Sequence, residues 1–183
     1  MSAAEYPRVT ATTAAEWRRW LRAHHHEEPG AWLVSYRRIT GKPAVDYDDA
    51  VREALCYGWI DSVVKPLDAE RTISLYTPRK PGSGWSRSNK ERLKELIAEG
   101  RMSAAGLAKI EAAKKDRSWT LLDSVEALTL PPELKKALGA AGLKQFAALS
   151  TSRKREHLRA LVTAKRPETR AKRVADVVRS LKP

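Results

Sequence analysis

The sequence predicts an α+β fold: a small antiparallel sheet of three strands packed with helices, followed by an all-helical C-terminal module. Three observations carry this reading. The apolar period changes between three-and-four and two within residues 31–77, all six tryptophans lie between Trp17 and Trp119, and the basic excess lies beyond residue 130. A change of period marks a change of element. The tryptophan-rich part is one core and the basic part another, which divides the chain into residues 1–122 and 123–183.

Residues 1–11 read as a loose tail. Thr12 or Thr13 can cap a helix in which Trp17, Trp20 and Leu21 recur at helical spacing. Pro29 and Gly30 break the chain, and Trp32, Val34 and Tyr36 then alternate with Leu33, Ser35 and Arg37 as a strand over about 31–38. Asp46 can cap a helix near 47–57, and Gly58 can end it. From Trp59 the period is two, so Trp59, Asp61 and Val63 should share a face in a hairpin of strands 59–65 and 71–77. Ser88 and Glu91 read as a capping box, before an apolar stripe of Leu93, Leu96 and Ile97. A further helix follows Ser103, using Leu107 and Ile110. Beyond it, Pro131-Pro132 opens a short helix, Ser150 or Thr151 caps one bearing Leu158, Leu161 and Val162, and Pro167 starts the last.

Composition narrows the function classes. With 42% hydrophobic and 31% charged residues the chain can bury a core and is not of the disordered class. No apolar run approaches the roughly 20 residues that span a bilayer, and MSAAEYPRV lacks a basic stretch followed by an apolar one, so the expectation is a cytoplasmic protein without a membrane span. Cys56 is the single cysteine, which excludes an intramolecular disulfide, and its apolar neighbours predict a buried thiol. His24, His25 and His26 are consecutive, so their rings diverge on a helix; no metal site and no cofactor is expected. The net charge of +13 and pI near 10.1 favour acidic partners. Residues 131–183 hold 14 Lys and Arg against 4 Asp and Glu, whereas residues 1–130 hold 21 against 18.

Two stretches carry the binding chemistry. In the first, Arg79, Lys80, Ser86, Asn89 and Lys90 surround a Pro/Gly loop that leads into a helix start, where cations and free N–H groups suit an anion. No Walker loop and no GxGxxG is present. Trp59 and Trp85 could stack a planar anionic ligand, and Asp61 could orient it, with Arg71 nearby. The bland alternatives are a loop that packs Trp85 into the core and leaves Arg79 and Lys80 in solvent, and a structural pairing of Asp61 with Arg71, Arg79 or Asn89. If Trp59 and Asp61 share a face and the loop 78–86 folds back over it, Arg79→Ala should abolish ligand binding at little cost in stability, since exposed charges contribute little to a fold. No second titrating group accompanies Asp61, so no catalytic residue is named, and this weighs against an enzyme. In the second stretch, Arg170, Lys172 and Arg173 could lie on the reading helix of a helix-turn-helix; a basic solvated face is the bland alternative.

ALCYGWIDS at 54–62, YTPRKPGSGWSRSNKERLKELIAEGRM at 76–102 and AKRPETRAKRV at 164–174 resemble the bacterial YdeI/OmpD-associated, bacteriocin-protection family. The resemblance runs from Trp32 to Leu181. It implies a role in stress or in tolerance to antimicrobial proteins, and it supplies no catalytic residues. The expected function is therefore a non-enzymatic stress or bacteriocin-tolerance protein that binds an anionic small molecule or a protein partner. Nucleic-acid binding through the C-terminal helices is the first alternative. A hydrolase or transferase acting on a phosphorylated or nucleotide substrate is the second.

Overall fold

The computed structural model describes residues 3–181. Two units can be distinguished: residues up to Ser83 together with Ser88–Arg117, and Gly84–Arg87 together with the residues from Ser118 on.

The first unit is built on a sheet. Its strands are β1 (Arg8–Thr10), β2 (Ala31–Tyr36), β3 (Trp59–Pro66) and β4 (Arg71–Pro78), in the order β1-β2-β4-β3. The β3–β4 hairpin and the β2–β4 pairing are antiparallel. The expected three-stranded antiparallel sheet is thus a mixed sheet of four, because residues 8–10, expected as tail, pair parallel with β2, with Val9 opposite Leu33. A three-residue strand is too short to show a period, and its partner lies about twenty residues away, so nothing local announces it. The expected alternation in β3 also fails. The register shifts between Asp61 and Val64, and Val63 and Val64 are both exposed.

Helix α1 (Ala14–His24) starts as its caps dictate. The Thr13 side chain accepts from the Glu16 N–H, and the Thr12 N–H and hydroxyl donate to the Glu16 carboxylate at 2.7 and 2.9 Å. Trp17 is fully buried; its indole N–H donates to the Ala50 carbonyl at 3.1 Å and its ring lies 5.2 Å from Tyr76 of β4. Helix α2 (Tyr47–Cys56) begins with the Asp46 side chain accepting from the Asp48 N–H. Gly58, at φ 73°, supplies the left-handed residue that turns α2 into β3.

Helices α3 (Arg87–Ala98) and α4 (Ala104–Lys115) follow. The expected capping box is displaced: α3 begins at Arg87, so Ser88 lies within the first turn rather than before it. Ile97 and Leu107, expected on apolar stripes, are both exposed. At the start of α4 the Ser103 side chain accepts from the Gly106 N–H and donates to the Cys56 carbonyl at 2.7 Å. This draws α4 so close to the end of α2 that a β-carbon on Gly106 would overlap the Cys56 carbonyl and sit 2.8 Å from Met102 Cε. Gly106→Ala should therefore cost about 1–3 kcal/mol by overpacking, read as a lower urea midpoint at unchanged m-value.

The second unit is helical: α5 (Asp123–Glu126), α6 (Pro132–Ala148), α7 (Thr151–Val162) and α8 (Pro167–Ser180). Leu122, Val125, Leu134, Phe146, Leu158, Leu161 and Val177 form its core. Within α6 the short helix expected after Pro131-Pro132 ends at Gly139, whose φ of 59° is non-helical, and a second helical stretch continues to Ala148. Trp85 packs here, its ring 5.3 Å from that of Trp119. Among the described residues no helix is long and apolar enough to cross a membrane.

Candidate functional site

The residues singled out around the central loop are divided between the two units. Trp59 is buried, its indole N–H donating to the His25 carbonyl at 3.2 Å and its ring meeting Trp20 edge-on at 6.0 Å, so it is core and offers no stacking face. Trp85 and Ser86 belong to the C-terminal unit, whereas Trp59, Asp61 and Arg79 belong to the N-terminal one. Arg71 sits at the far end of β4 and clamps the hairpin turn through Asp68 at 2.6 Å. It lies five residues from Tyr76, the partner of Asp61, or about 17 Å along the strand. Asn89 accepts from Arg92 within α3 at 3.0 Å, Lys90 is partly exposed beside it, and Lys80 is exposed.

Asp61 and Arg79 lie within electrostatic range of each other. Asp61 accepts the Tyr47 hydroxyl at 2.7 Å and faces Tyr76 across the hairpin. Arg79 was expected in solvent, but the N–H of its backbone donates to Gly58 and its side chain is only 5% exposed. Burial lowers its pKa to about 10, against the opposing pull of the Asp61 charge. Desolvation, reinforced by the bond to Asp61, raises the Tyr47 hydroxyl to about 12. At ordinary pH Tyr47 is a neutral phenol and Arg79 a cation. Burial also raises the Cys56 thiol, in keeping with the buried side chain the sequence implied.

In the C-terminal unit the expected groove readers are engaged within the chain. Arg170 pairs with Glu133 at 2.5 Å and donates to the Leu161 carbonyl at 2.9 Å, while Arg173 donates to the Ala160 carbonyl and to Thr163 Oγ at 3.2 Å. Both add a donor to carbonyls in the last turn of α7, where a cation is favoured. Lys172 alone of the three is exposed without such a bond described here.

The basic surface lies along α7 instead. Thr151, Ser152, Arg155, Glu156, Arg159, Ala160 and Thr163, joined by Arg173, line an open groove of about 880 Å³. Their spacing of three to four residues puts them on one helical stripe. Arg155 pairs with Glu126 at 3.2 Å, and Glu156 is held by Arg153 at 3.3 Å. The lining therefore holds three arginines against one carboxylate that has its own partner. Arg155 and Arg159 escaped the sequence reading because attention fell on α8. The signal was present: a polar stripe from Thr151 to Thr163 opposite Leu158, Leu161 and Val162.

Comparison with known proteins found two family models. Residues 9–109, more than half of the 183, match a domain of unknown function (DUF8412), and residues 127–182 match the family described as Bacteriocin-protection, YdeI or OmpD-Associated. The motifs at 54–62 and 76–102 fall within the first match, and that at 164–174 within the second. No curated protein and no solved structure was found to match. The groove along α7 lies wholly within the second match.

Proposed function

The chain belongs to the DUF8412 family and carries a YdeI/OmpD-associated module at residues 127–182, and from that premise we propose a non-enzymatic role in stress or bacteriocin tolerance, exerted by binding an acidic ligand or protein partner along α7. The observation that supports this reading is the groove itself: Arg155, Arg159 and Arg173 beside the hydroxyls of Thr151, Ser152 and Thr163. Guanidinium groups stay protonated and present forked donors, so such a lining favours carboxylate or phosphate over neutral groups. The same property makes arginine a poor general base, which favours binding over catalysis. All 14 Lys and Arg counted from residue 131 on fall within the matched module, and their excess would draw an acidic partner in by long-range attraction.

Arg159→Glu tests this reading. Arg159 is exposed, so the fold should tolerate the change within about 0.5 kcal/mol. Binding of inorganic polyphosphate to the full chain should weaken by about tenfold or more, equivalent to about 1.4 kcal/mol, and should fade with salt. Cells expressing the variant should lose any protection against bacteriocin that the wild type confers. Equal polyphosphate binding by both proteins would contradict the reading. The same charge excess favours nucleic acid as a second reading. A DNA duplex that binds far more tightly than polyphosphate, with sequence-independent affinity and a steep salt slope, would favour it.

A further inference from the structure

A second cavity, in the N-terminal unit, has a different chemistry. It measures about 670 Å³, within the range of small-molecule sites, and opens between the β2–β4 face and the start of α2. The register places Leu33 opposite Ser74 and Ser35 opposite Thr72, so these four side chains share one face of the sheet with Tyr76. A sheet face packed against a helix is ordinarily apolar. Here Ser35, Thr72 and Ser74 bring hydroxyls into the lining, and the cavity lies over them.

The remaining walls add three kinds of group. Tyr47 contributes its ring, and its hydroxyl is directed to Asp61 by the 2.7 Å bond. Asp46 brings a carboxylate whose Oδ1 accepts the Asp48 N–H at 2.8 Å and retains capacity to accept more. Arg37 and Arg38 line the cavity too, and Arg37 is steadied by donation to the Ala69 carbonyl at 3.2 Å. The carboxylate calls for a ligand with hydroxyl donors, and the arginines call for one with an acidic group. The apolar strip of Leu33, Val45 and Val64 calls for a compact ligand with a C–H face.

We propose that this cavity binds a monosaccharide-sized polyol bearing one acidic group, its hydroxyls meeting Asp46, Ser35, Ser74 and Tyr47 and its acid meeting Arg37 and Arg38. The site is independent of the groove along α7 and stands or falls separately from it. Tyr47 remains protonated throughout the neutral range, since its hydroxyl is raised to about 12; its one proton goes to Asp61, so towards the ligand its oxygen accepts.

The test is an NMR titration of the full chain, following backbone amide shifts with D-glucuronate, D-glucose 6-phosphate and D-glucose as probes. Glucuronate or glucose 6-phosphate should shift Ser35, Ser74 and Tyr76 saturably with Kd of about 1 mM or less, and glucose should bind about tenfold or more weakly. Either acid supports the class; the tighter one identifies carboxylate or phosphate as the preferred group. Tyr47→Phe should weaken the tighter probe by about tenfold. If that variant shows an altered amide spectrum before any addition, Ser74→Ala takes its place with the same expected direction. The inference is overturned if neither acidic probe shifts these amides at about 10 mM. It is overturned equally if glucose binds as well as the acids, or if both Tyr47→Phe and Ser74→Ala bind as the wild type does.

Discussion

Glu53→Ala lowers the unfolding free energy by about 3–5 kcal/mol, the cost of removing one member of a buried ion pair. Glu53 is 3% exposed and sits between Arg18, at 2.6 Å, and Arg101. Arg18 also donates to the Arg101 carbonyl at 2.9 Å, so one carboxylate ties α1, α2 and the segment after α3 together. Without Glu53 two guanidinium groups face each other across a buried site. Their side chains are each about one-third exposed, so water relieves part of the repulsion and the loss falls towards the lower end of the range. The corresponding fall in Tm is about 6–20 °C by thermal unfolding. Glu53→Gln, which keeps shape and one acceptor, should lose less. A change below about 1 kcal/mol for the alanine variant would show that the pairing contributes no more than a surface bridge.

Arg79→Ala should lower stability by about 2–3 kcal/mol, chiefly through lost packing at a site with 5% exposure, with a fall in Tm of about 4–12 °C. An exposed arginine would give almost no change, so this variant separates the two placements. A pH series adds a second signature. The folded pKa is depressed to about 10, well below the ordinary guanidinium value, so the protonated side chain carries a penalty for burial. Below about pH 10 that penalty is complete. Above about pH 10 the unfolded chain, at its ordinary and higher guanidinium pKa, holds its proton more tightly than the folded one, so the contribution to stability rises with pH. The wild type should therefore gain on Arg79→Ala across this window, since other titrating groups are common to both. A flat difference would mean that burial does not perturb the guanidinium.

What was legible in the sequence was what is encoded locally. Thr13, Asp46, Ser103 and Ser150 each cap a helix through a bond within three residues, and each could be read from its place before an apolar stripe. The β3–β4 hairpin was visible for the same reason, its turn held by Asp68 and Arg71. The parallel pairing of β1 was not, because it depends on a strand remote in sequence. Nor was the fate of Arg79: loop composition gives its flexibility, whereas burial is decided by what packs over it. The candidate site fared likewise. Asp61 lies within electrostatic range of Arg79, but Trp59 turned to the core, since a tryptophan at the start of a half-buried strand gains more from filling space than from facing a ligand. Of the basic residues of α8, Arg170 is held by Glu133 and the Leu161 carbonyl, whereas Arg173 lies against the end of α7 and lines its groove.

The most direct test of binding along α7 is an amide shift map of the full chain titrated with inorganic polyphosphate. Shifts that saturate along residues 151–163 and at Arg173, and that Arg159→Glu removes, are the predicted result. Shifts confined to residues 8–115, or spread evenly over every exposed lysine and arginine, would contradict it.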